Sequence, residues 1–165
     1  MIQHSLLRAL FLLIPVVALL GVAVNSYFKV QNGIEFILPV EGFDPRDLLA
    51  GHYLIYRPVY KSPQDMCLQR ESPLPVYYCT EEGYFVDGQY NNKPTCDLFI
   101  RGQCEDGRFV AGVERFYIPE GRAIVLDRAV RENKGSVVLA IDPKTGETRV
   151  KDFLLNGRSW REYGK

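Results

Sequence analysis

The chain has no Cys-x-x-Cys pair and no His-x-x-x-His spacing, and its only histidines are His4 and His52. These absences remove the usual zinc, dithiol-redox and helical metalloprotease signatures, so no metal and no cofactor is expected. The chain also lacks an excess of either charge, with 20 Lys and Arg against 20 Asp and Glu. A nucleic-acid binder needs a basic face that displaces counterions, so no nucleic-acid partner is expected. The same balance excludes an acidic disordered tail. No internal repeat and no low-complexity tract is present, and tryptophan occurs once, at Trp160.

Residues 9–28 contain no charged side chain. About 20 apolar positions suffice to cross a bilayer as a helix, and Pro15 inside the run is tolerated there. Arg8 before the run and Lys29 after it frame a single span. Positive charge at the start favours an N-terminus in the cytoplasm and a remainder outside it. The expected organisation is a cytoplasmic start at 1–8, a transmembrane anchor at 9–28 and an exported domain at 31–165. A cleaved signal peptide is the rival reading, because Gly21-Val22-Ala23 offers small residues for cleavage. The length of the run and the interfacial pair Tyr27-Phe28 favour a retained anchor.

Four cysteines, Cys67, Cys79, Cys96 and Cys104, all lie beyond that run. An even number in an exported domain reads as two disulfides, and reduced buried thiols would require a cytosolic protein. Three connectivities are open. The sequential pairs, Cys67 with Cys79 and Cys96 with Cys104, close the shortest local loops and are the expected ones.

Two stretches organise the rest. Residues 44–60 read as a tight polar turn, a glycine stop at Gly51, and a tyrosine-rich strand at 52–57 ended by Pro58. Residues 113–121, Val-Glu-Arg-Phe-Tyr-Ile-Pro-Glu-Gly, look like its partner. Ile34, Phe36, Leu38 and Val40 repeat with a period of two, a strand signature, and Pro39 suggests an edge position or an exit. Loops are expected at 61–72 and 87–94, with a hairpin at 75–86 between them. A strand is expected at 96–100, a turn at 102–107, and the longest strand at 108–118. Apolar spacing at 122–132 predicts one short helix. A strand at 136–141, a tight turn at 142–146 and a returning strand at 147–155 follow. The fold class is therefore α+β and β-rich: one N-terminal transmembrane helix, then a compact antiparallel sheet or half-open barrel carrying the 122–132 helix.

Few residues offer chemistry. Ser26 follows the apolar run, where serine–lysine signal peptidases keep a nucleophile, but the candidate base Lys61 lies in a polar loop. Asp44, Arg46, Arg57, Glu114, Arg115 and Glu120 supply opposite charges that join the two stretches. Unpaired inward charges are costly, so pairing is expected, as a structural clasp or as a polar cleft. Tyr53, Tyr56, Tyr60, Tyr77, Tyr78, Tyr84 and Tyr90 form either a sugar- or peptide-binding face or the filling of a small β core.

The run Asp-Pro-Arg-Asp-Leu-Leu-Ala-Gly-His-Tyr at 44–53, followed by Glu-Arg-Phe-Tyr-Ile-Pro-Glu-Gly at 114–121, resembles the bacterial GDYXXLXY proteins. Those are small membrane-anchored proteins of unknown function, often encoded beside multi-pass membrane proteins. Gly51 and Tyr53 fit the naming motif, and Gly121 closes the second segment. His52, Tyr56 and Pro58 stand where the family has Asp, Leu and Tyr, and the cysteine-bearing insert departs from it. The loss of the motif carboxylate favours a structural or binding cluster over catalysis, so no catalytic residue is assigned. The resemblance implies a bacterial inner-membrane protein with a periplasmic domain that serves as an accessory subunit of a larger, multi-pass membrane protein. A membrane-tethered hydrolase is the alternative from a different class.

Overall fold

Helix α1 (Ile2–Asn32) ends one residue before strand β1 (Ile34–Glu41) begins. The computed structural model describes residues 2–41, 53–68, 74–88, 94–119 and 135–162, with backbone alone for 2–12, 53 and 54. The expected helix at 122–132 and the turn at 44–51 lie outside the described residues.

After β1 come β2 (Tyr53–Ile55), β3 (Arg57–Pro58), a helical turn α2 (Asp65–Leu68), β4 (Val76–Cys79) and β5 (Phe85–Asp87). They are followed by β6 (Phe99–Glu105), β7 (Arg108–Val110), β8 (Arg115–Tyr117), β9 (Gly135–Ile141), β10 (Thr148–Leu155) and β11 (Arg158–Ser159). A 3₁₀ turn, Trp160–Glu162, closes the described chain. The fold is β-rich α+β. One sheet has the order β11-β10-β9-β1-β3, a second β5-β4-β6-β7, and β2 pairs with β8 as a separate ribbon. Every pairing is antiparallel, and no sheet closes into a barrel among the described residues.

The period-two reading of β1 holds for its core face, where Leu38 and Val40 are buried and Phe36 packs against them. Pro39 does not mark an edge, because β9 pairs on one side and β3 on the other. Its carbonyl accepts from Val59 N at 2.8 Å on the β3 side. A residue's N and C=O face the same neighbour in such a ladder, so the missing N–H takes nothing from the pairing with β9.

Two runs expected as single strands are each divided between sheets. The 52–57 run breaks at Tyr56, between β2 and β3. The 108–118 run breaks at Ala111–Glu114, where Gly112 takes φ 77°. The strand expected at 96–100 starts only at Phe99 and continues to Glu105, through Gly102. A Cβ on Gly102 would stand 2.5 Å from the Val110 carbonyl oxygen and 2.6 Å from the Phe109 ring. That glycine permits close strand approach rather than a turn. The turn itself is at Asp106–Gly107, with φ 48° and 72°. α2 falls inside the stretch read as a plain loop.

The sequential disulfides do not form. Cys67 bonds Cys104 and Cys79 bonds Cys96, with Cα atoms 5.3 and 5.9 Å apart. The pairs are nested because sheet pairing sets which sulfurs meet. Cys79 ends β4 opposite Phe99 of β6, just beyond Cys96, while α2 brings Cys67 to the far end of β6. Both bridges are set in buried surroundings, with Cys67 and Cys79 at 1% and 0% exposure.

One core joins the sheets. Val137, Leu139, Ile141, Phe153 and Leu155 from β9 and β10 meet Tyr56, Tyr60, Tyr78, Ile100 and Phe109. Each large apolar side chain buried this way contributes roughly 1.5–3 kcal/mol.

Candidate functional site

The two organising stretches meet as a ribbon: Tyr53 faces Tyr117, Leu54 faces Phe116 and Ile55 faces Arg115. Tyr56 follows directly, and its backbone N donates to the Glu114 carbonyl at 3.1 Å. The Tyr56 hydroxyl donates to the carbonyl of Val113 in a buried hydrogen bond. Its ring packs against Phe153, centroids 5.7 Å apart, and Phe116 stacks on the same Phe153 at 5.7 Å. The ribbon is thereby fastened to the five-stranded sheet by aromatic contacts. Tyr60 continues the seam into the other sheet, edge-on to Tyr78, Phe85 and Phe109 at 4.7, 5.4 and 5.3 Å.

Glu114 lies under this seam, and its carboxylate accepts from Ala111 N at 2.8 Å. It clasps the break between β7 and β8. Burial first, and the Glu114 charge second, push the phenols of Tyr56 and Tyr60 far above their ordinary range. The Tyr60 hydroxyl is buried with no hydrogen-bond partner among the described residues. Arg57 is exposed and forms no ion pair among the described residues, and Arg115 is exposed beside the seam. Asp44, Arg46, Gly51, Glu120 and Gly121 lie outside the described residues, as do the side chain of Tyr53 and all of Tyr90.

Of the tyrosines weighed as a binding face, Tyr56, Tyr60, Tyr77 and Tyr78 are core residues, and Tyr84 is exposed at 42%. The large exposed ring on the ribbon is Tyr117, at 72%. Sequence reasoning passed over it. An exposed tyrosine on a strand face carries no distinguishing spacing.

The structure does not bring Ser26 and Lys61 together. Ser26 Oγ accepts from Arg149 Nη1 at 2.8 Å, and Lys61 Nζ donates to the Glu81 carbonyl at 3.2 Å. An arginine stays protonated and supplies no general base, so this serine is not activated as a nucleophile. Cys79 and Cys96 lie beside Glu82 in an arrangement that could hold a metal ion, but their sulfurs are bonded to each other and cannot serve as thiolate ligands.

The groups that sequence reasoning missed sit where α1 meets the sheet. Lys29 Nζ reaches Glu147 at 2.7 Å, and Arg149 Nη2 reaches the same carboxylate at 2.9 Å. The Lys29 hydrogen bond, then that of Arg149, holds the Glu147 carboxyl below its usual range. Lys151 pairs with Glu35 at 2.6 Å and Arg161 with Asp152 at 3.3 Å. Two of these pairs, Lys29–Glu147 and Lys151–Glu35, join residues more than a hundred positions apart, so no local spacing announces them. A Cβ on Gly33 would stand 2.9 Å from Ala140 Cβ and 3.0 Å from its backbone. The end of α1 is thus pressed against β9 with no slack. The stretch Leu13–Asn32 is long and apolar enough to cross a membrane; most of it is exposed, while Ser26, Lys29 and Val30 near its end are half-buried against the sheet.

The sequence profile described as "GDYXXLXY protein" matches residues 15–152. No curated protein and no solved structure gives a significant match to the chain.

Proposed function

Because the chain belongs to the GDYXXLXY family, we propose that it is a membrane-anchored, non-catalytic accessory subunit of a larger membrane protein. α1 crosses the bacterial inner membrane with Arg8 on the cytoplasmic side, and the β-rich domain lies in the periplasm. The two disulfides support an oxidising compartment.

One observation carries the subunit reading: the domain is not on a tether. A single residue separates helix from strand, and Lys29, Ser26 and Gly33 all lock that junction to β9 and β10. A domain held at one height and angle above the bilayer suits a neighbour in the same membrane better than a diffusing substrate. The side chains of the two family stretches support the same reading. Tyr56 and Glu114 are engaged by backbone groups that hold the seam closed.

The test is affinity isolation of the full-length protein from crosslinked, solubilised membranes, followed by mass spectrometry. A multi-pass membrane protein is expected in near-stoichiometric amount. Recovery of the chain alone would overturn the proposal.

A further inference from the structure

A cleft of about 640 Å³ opens in the crook between α1 and the outer face of the five-stranded sheet. Its two walls differ in chemistry. Ala23, Tyr27 and Val30 of α1, with Val138 of β9, make one side mostly apolar, interrupted by Gln31 and by Ser26, whose hydroxyl is already taken by Arg149. Glu35, Lys151, Asp152 and Arg161 make the other side charged, with two acids and two bases. The apolar wall climbs the helix toward the segment that would lie in the bilayer. The charged side chains come from β1, β10 and the closing 3₁₀ turn, beyond Lys29, where the uncharged run ends.

We infer that this crook holds one phospholipid with a zwitterionic, primary-amine headgroup. The inference rests on α1 being a membrane span. The ladder of polarity matches a lipid in orientation: an acyl chain along Ala23 and Val30, a headgroup against the sheet. The balance of charge selects the headgroup class. A purely anionic headgroup would meet Glu35 and Asp152 as well as the cations and would be repelled by half of its site. A phosphoethanolamine offers the phosphate to Lys151 and Arg161 and the ammonium to Glu35 and Asp152. The resident pairs can give way to it. Each pair has one exposed member, Glu35 at 57% and Arg161 at 61%, against a more covered partner, Lys151 at 28% and Asp152 at 19%, so the exposed member can swing away while its partner stays in the cleft. A quaternary choline cannot donate hydrogen bonds to the two carboxylates, so the site discriminates against it.

The full-length protein in detergent micelles, titrated in turn with phosphatidylethanolamine, phosphatidylcholine and phosphatidylglycerol, provides the test, with bound lipid counted by native mass spectrometry. One phosphatidylethanolamine per chain is expected, held about tenfold more tightly than either of the others, the factor that one charge-assisted hydrogen bond carries. Glu35→Gln and Arg161→Gln should each weaken that binding about tenfold while lowering the melting temperature by no more than about 4 °C and leaving liposome flotation unchanged. Equal retention of all three lipids, a preference for phosphatidylglycerol, or indifference to both substitutions would overturn the inference. Flotation separates it from its premise. A wild-type chain that fails to float with liposomes removes the anchor and this site together, whereas one that floats without lipid selectivity removes the site alone.

Discussion

Two tyrosines in the seam have opposite roles, although both are deeply buried. Tyr56 donates its hydroxyl to the Val113 carbonyl, so Tyr56→Phe leaves a buried acceptor without a donor. Such a loss costs about 1–3 kcal/mol, and urea unfolding of the oxidised protein measures it. The Tyr60 hydroxyl has no partner among the described residues, so Tyr60→Phe removes only a desolvated polar group. That variant is expected to match or exceed wild-type stability by up to about 1 kcal/mol in the same experiment. Both phenols are raised in the folded state, chiefly by burial. The unfolded chain therefore releases these protons first, near pH 10, while the folded chain keeps them. Their contribution is whole below pH 10 and declines as pH rises above it. Tyr60→Phe should flatten the loss of stability between neutral and strongly alkaline pH, read as the slope of unfolding free energy against pH.

At the scale of elements, the junction of α1 with β1 decides how the domain stands. Gly33 is needed because Ala140 and the backbone of Ile141 occupy the space a side chain would take. Gly33→Ala forces helix and strand apart at a backbone contact that cannot yield, at a cost of about 1–3 kcal/mol in domain stability by calorimetry. The ion pairs at the same place add orientation more than stability, since they are partly exposed. Glu147 is held below the usual carboxylate range by Lys29 and then Arg149. A lowered carboxyl contributes above its unfolded pKa and loses that contribution as pH falls through the folded value. Spin labels placed on α1 and β10 should consequently report a broader distance distribution below about pH 4, the ordinary carboxylate range, than at pH 7, and Glu147→Gln should remove that pH dependence.

For the whole molecule, the nested disulfides tie α2 and the approach to β6 onto the four-stranded sheet. Peptide mapping under non-reducing conditions should recover Cys67 joined to Cys104 and Cys79 joined to Cys96. Replacing either pair by serine is expected to cost about 2–4 kcal/mol, read from denaturant midpoints. The Cys67–Cys104 bridge closes the longer loop, with a separation of 37 against 17, and so constrains the unfolded chain more. Chain entropy alone sets that difference at roughly 0.7 kcal/mol.

What the amino-acid order settles by itself is local. A run without charge makes a helix able to cross a bilayer, period-two alternation makes β1, a continuous apolar run makes β9, and Asp142 with Gly146 makes the turn between β9 and β10. In that turn Asp142 Oδ1 accepts from Lys144 N at 2.8 Å, and Gly146 takes φ 69°. The family stretches were likewise visible as a matching pair, and β2 and β8 do pair. Only the tertiary structure decided which cysteines join, that the runs at 52–57 and 108–118 divide between sheets, and that Lys29, Glu35, Glu147 and Arg149 frame the base of the helix. The physical reason is distance along the chain. Turn chemistry and periodicity act over a few residues, whereas strand order, nested bridges and ion pairs over a hundred positions apart exist only once the sheets have assembled.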